Sequence, residues 1–212
     1  MKKFVCMLLV LMVSLCAAAM ATEYVPSKTT GDMIQFTIKT ESPAVAAAEN
    51  LVIRPVVSAE VPAEIAADPV AAEKYQEKVE ICNTEVKKLA ETITESKSVV
   101  EYFGEVKTAS GETISIQEVL GTEAVNVFEF CPFVVEGYEA DLGAVAMTMQ
   151  FATTYAVDEE IIIMIGLVAE DGTIEWFAFE AIGTEEGVEV EFDAETLIAI
   201  QEGTALMAVV SK

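Results

Sequence analysis

Apolar positions along this chain change their spacing several times, and each change marks a different kind of element. Residues Phe4 to Leu15 form an apolar run, with Ser14 its one polar residue, behind Lys2 and Lys3, and mostly small residues follow up to Thr22. A basic start, a short apolar core and Ala19-Met20-Ala21 as a cleavage site are the three parts of a secretory signal peptide, residues 1–21. The run holds about 12 residues, short of the roughly 20 that a transmembrane helix needs. A lipoprotein signal puts a small residue before its cysteine, whereas Leu15 precedes Cys16, so lipid anchoring is the lesser alternative.

Past the extended leader Thr22 to Gly31, Met33 to Thr40 alternates Ile34, Phe36 and Ile38 against Gln35, Thr37 and Lys39, the period-two pattern of a half-buried strand. Leu51 to Val57 is a second strand, which Pro55 confines to a sheet edge or a strand end. The Ala-, Pro- and acid-rich stretch Ser58 to Pro69 reads as a linker. Asp68 then stands as N-cap with Pro69 at the first helical position. Tyr75, Val79, Cys82, Val86, Leu89 and Ile93 recur at steps of four and three, so they share one stripe of a long amphipathic helix. That stripe barely reaches three heptads and lacks paired flanking charges, so it is expected to pack on the chain's own sheet rather than in a coiled coil. Lys74, Lys78, Lys87, Lys88 and Lys97 are expected on the solvated side. Ser98 with Glu101, and Ser115 with Glu118, are capping boxes for two short helices; Ile114 and Val119 form a staple for the second and Gly121 stops it.

From Val125 onward strands alternate with short turns. Val145, Met147, Met149 and Phe151 alternate with Ala146, Thr148 and Gln150, and Val188, Val190 and Phe192 alternate with Glu189 and Glu191, which gives that last strand one wet face. Ile161 to Val168 is apolar on both sides and is expected to be a central strand covered above and below. Asp171-Gly172 predicts a two-residue type I′ hairpin, which would set Leu167 opposite Trp176, Gly166 opposite Phe177 and Met164 opposite Phe179. Asp193 caps one helix, Ala194 to Gln201, before a final strand, Thr204 to Ser211. The expected class is α+β: an N-terminal strand and helix region over 22–122, followed by an antiparallel β-sandwich of six or seven strands over 123–212.

Composition narrows the chemistry. Twelve Lys and Arg against 36 Asp and Glu give a formal charge of −24, and signal cleavage removes two lysines and no carboxylate. Such a charge disfavours nucleic acid and anionic lipid as partners. With 53% hydrophobic residues the chain folds nonetheless. Histidine is absent, which removes Ser-His-Asp and Cys-His catalysis together with His-ligated zinc or copper. Cys6 and Cys16 leave with the signal. Cys82 and Cys131 remain as a candidate structural disulfide, closing a loop of about 50 residues. The competing reading, slightly favoured because export permits a bridge without demanding one, is two thiols buried as small hydrophobes.

Motifs with catalytic content are lacking. Glu170-Asp171-Gly172 is only a fragment of a calcium loop and is better explained as a turn. The sequence holds no nucleophile elbow, no phosphate-cradling loop and no dinucleotide fingerprint. Trp176, Tyr138 and Tyr155 could make a sugar-binding platform, although the neighbours Leu167 and Ile174 make Trp176 look like core. No metal, no cofactor and no catalytic residue is expected.

The Lys-Lys signal peptide, the strand Leu51-Val52-Ile53-Arg54-Pro55 after an Ala/Pro-rich stretch, the long helix and the C-terminal Glu170-Asp171-Gly172-Thr173-Ile174-Glu175-Trp176 segment resemble exported surface-associated proteins of anaerobic Gram-positive gut bacteria. No established activity comes with that resemblance. The functional expectation is therefore a secreted, non-enzymatic binding or surface-structural module with a cell-surface, glycan or protein partner and no stable membrane insertion. The alternative is a carboxylate-dependent secreted hydrolase of glycosidase type, which needs no histidine but needs two facing acids in a deep cleft.

Overall fold

The computed structural model describes residues 35–37, 43–48, 50–56, 60–94, 98–108, 110–120, 126–151 and 153–211. The signal segment 1–21, the leader Thr22 to Gly31 and the stop at Gly121 lie outside these residues. In chain order the elements are β1 (Gln35–Thr37), α1 (Pro43–Ala47), β2 (Val52–Pro55), α2 (Ala63–Ala66), α3 (Pro69–Thr94), α4 (Val99–Phe103), β3 (Val106–Thr108), β4 (Thr113–Ile114) and α5 (Ile116–Leu120). There follow β5 (Asn126–Glu136), a 3-10 turn (Ala140–Leu142), β6 (Val145–Gln150), β7 (Glu160–Val168), β8 (Ile174–Thr184), β9 (Gly187–Phe192), α6 (Ala194–Glu202) and β10 (Thr204–Ser211).

The class is α+β, and its strands make one hydrogen-bonded sheet in the order β1-β6-β9-β8-β7-β10-β5-β2. Those ladders are antiparallel; β3 joins alongside β8 in parallel and carries β4 as a short hairpin. The N-terminal strands sit at the two ends of this order, β1 on β6 and β2 on β5, so both halves of the sequence contribute to one sheet. Pro55 does fall on an edge strand, where its missing N–H costs no ladder bond.

Sheet curvature creates the main core. Phe133 on β5 and Phe192 on β9 are four steps apart in strand order, which in a flat sheet would separate them by about 19 Å. Their ring centroids are 5.8 Å apart, so the two arms of the sheet curl toward each other and pack across their inner faces. Met147, Met149, Ile163, Phe179, Val190 and Met207 fill the space between, and Leu197 and Ile200 of α6 seal it. The outer face carries a second cluster, in which Cys82 and Leu89 of α3, Val99 and Phe103 of α4, and Ile116 and Leu120 of α5 cover Ile162, Met164, Trp176, Leu206 and Ala208. Strand β7 therefore buries Ile161, Ile163 and Ile165 inward and Ile162 and Met164 outward, as its uninterrupted apolar sequence requires.

Local chemistry explains where the helices start. Asp68 Oδ1 accepts from the Val70 and Ala71 amides at 2.9 and 3.4 Å. Ser98 and Glu101 form the reciprocal capping box, at 3.2 and 2.9 Å. Asp193 caps α6 through the Thr196 amide at 2.9 Å. On α3, Tyr75, Cys82 and Leu89 are buried and Val79 and Val86 half-buried, while the Ile93 side chain lies outside the described residues. α6 is tied to the loop after β5 by Gln201, whose side chain accepts from Tyr138 N at 2.7 Å and donates to Tyr138 O at 3.2 Å. Among the described residues no helix is long and apolar enough to cross a membrane.

Several expectations change. The stretch Ser58 to Pro69 is not a plain linker: it contains α2, and Ile65 packs against the small cluster of Val56, Tyr75 and Val134. The β3–β4 hairpin had no clear sequence signal, since each strand is two or three residues long. Lys78 is half-buried rather than solvated, and burial pushes its ammonium below the usual lysine value, partly offset by Glu136. The hairpin register also shifts. Ala169 N donates to Thr173 O and Gly172 N to Ala169 O, both at 2.9 Å, so the loop has three residues and positive φ is needed only at Gly172, φ +81°. That is the three-residue loop built on a type I turn and a left-handed glycine. Gly166 consequently faces Trp176, and Met164 faces Ala178.

Candidate functional site

Strand β8 is where the sheet forks. Its first half pairs with β3 at Phe177 and Ala178, and its second half pairs with β9 from Ala181 to Thr184. Between these two neighbours, beside the last residues of α5, opens a cleft of about 420 Å³ lined by Val119, Leu120, Ala146, Glu160, Ile161, Glu180, Ala181, Ile182, Glu189, Val190 and Glu191.

Register explains why four glutamates meet there. Ile182 pairs with Glu160 on one side and with Glu189 on the other, so all three share the outer face in one row. Glu189 in turn pairs with Thr148 on β6. In the adjacent row Glu180 pairs with Ile162 and Glu191 with Ala146, and continuing the β8–β9 ladder by one step sets Glu180 against Glu191. Like charges directly across a ladder destabilise it. Glu160, Glu180 and Glu191 are exposed, Glu189 is half-buried, and Ile182 stands among them 42% exposed. The result is an apolar centre inside a carboxylate rim, on a rigid sheet. Among the described residues these carboxylates do not converge into a group suited to a metal ion.

Thr148 borders this site. Its neighbours Met147 and Met149 belong to the inner core, so alternation turns Thr148 to the outer face, opposite Glu189. It is 3% exposed, and its Oγ1 has no hydrogen-bond partner among the described residues.

Other polar groups lie inside the protein. Glu85, 7% exposed on the apolar stripe of α3, accepts from Tyr102 Oη at 3.1 Å and pairs with Lys88. Glu129, 2% exposed, shares the inner face of β5 with Cys131. Ser211 donates to Glu159 Oε1 at 2.5 Å where β10 ends.

The residues singled out in the sequence separate in space. Cys82 and Cys131 are both free and buried, Cys82 in the outer cluster under α3 and Cys131 in the inner one. Burial pushes the Cys82 thiol up to about 12, with Glu85 adding to the effect. Cys131 is raised well above the usual thiol value by burial, then by Cys82 and Glu129. The aromatic platform does not assemble. Trp176, 6% exposed, packs edge-on against Phe103 and Phe130 on the outer side, with centroids at 4.9 and 5.9 Å. Tyr138 is buried in the inner core, donating to Gly143 O at 2.6 Å, and Tyr155 stacks edge-on with Phe151 at the margin of that core.

The acidic cleft was missed for one physical reason. In the two-residue-turn register Glu180 would face Ile163 and Glu160 would face Gly183, which puts the two carboxylates on opposite sides of the sheet. Glu189 and Glu191 alone carried a visible signal, the wet face of β9. Comparison with known proteins gave no match to any family model, curated protein or solved structure.

Proposed function

We propose that this chain is an exported, non-enzymatic binding or surface-structural module that meets a cell-surface partner through the outer face of β8 and β9. The observation that carries the reading is the exposed Ile182 within a cleft rimmed by Glu160, Glu180, Glu189 and Glu191. A concave surface with an apolar centre and convergent polar groups is a recognition surface. The secretory signature of residues 1–21 supports an extracellular place of work, and the acidic balance supports a partner that is neither nucleic acid nor anionic lipid.

The hydrolase alternative draws less support from this site. A glycosidase needs one carboxylic acid held in a water-poor setting and a second in a solvated one. Three of the four carboxylates here stand in solvent, and the fourth is half-buried.

Two measurements test the reading. N-terminal sequencing of protein recovered outside the producing cells should begin at Thr22. Purified protein should co-sediment with native cell envelopes, and the double variant Glu180→Lys, Glu191→Lys should be released. A product retained in the cytoplasm with Met1 intact, or envelope binding indifferent to both substitutions, would overturn it.

A further inference from the structure

We draw no further inference here: the strongest candidate, the pair Glu180 and Glu191 beside the exposed Ile182 in the cleft between β8 and β9, belongs to the site already described and is a cluster of acidic side chains with no second feature among the described residues to say what fills it.

Discussion

Trp176 covers Gly166 across the β7–β8 ladder so closely that a β-carbon added at Gly166 would lie 2.7 Å from Cζ3 of the indole. Glycine is required there by the ring rather than by backbone angles. The same ring packs edge-on against Phe103 of α4, so one contact links the central strand to the helical layer.

Gly166→Ala is therefore expected to destabilise the protein by about 1–3 kcal/mol, the cost of overpacking a filled site. Urea denaturation reads this directly as a lower midpoint with an unchanged slope. An unaltered midpoint would mean that Trp176 does not occupy this position.

Stability should fall in alkali. Burial holds the folded Cys82 thiol near 12, against an ordinary value of 9.0. Between those values the unfolded chain releases a proton that the native chain keeps, so stability is complete below about pH 9 and declines as pH rises toward 12, by on the order of 1.4 kcal/mol per pH unit for one such group. Tyr138, raised above 10.0 by burial and then by Asp193 and Asp141, adds to the loss above pH 10 in the same direction. Urea midpoints under reducing conditions at pH 7, 9 and 10 should trace the decline, and Cys82→Ala should make it shallower, the buried Cys131 thiol and Tyr138 leaving the remainder. A pH-independent midpoint over this range would contradict the buried thiol.

Thr148→Val should raise the stability of the free protein. A buried hydroxyl without a partner costs about 1–3 kcal/mol of desolvation, and valine keeps its shape. Thermal unfolding should show a higher midpoint in the variant. A lower one would show that the hydroxyl is bonded in the native state.

Much of this fold is legible from local pattern. The stripe Tyr75-Cys82-Leu89, the Ser98–Glu101 capping box and the doubly apolar β7 each depend on residues close in sequence, and each is present in the structure. What local pattern does not contain is the relation between strands. The choice between two and three loop residues at Asp171-Gly172 turns on φ at a single position, yet it decides which face every residue of β8 occupies relative to β7. Because the cleft is assembled from β7, β8 and β9, the one-residue difference hid Glu180 from Glu160. Sheet curvature is likewise set by long-range packing, here between Phe133 and Phe192.

Carboxyl footprinting of the protein, free and bound to native envelopes, tests the central claim most directly. Carbodiimide coupling followed by mass spectrometry should label Glu180 and Glu191 in the free protein and spare them in the bound one, while the exposed Glu170 and Glu202 outside the cleft label equally in both. Unchanged labelling of Glu180 and Glu191 on binding, with protection elsewhere, would contradict a partner seated on this face.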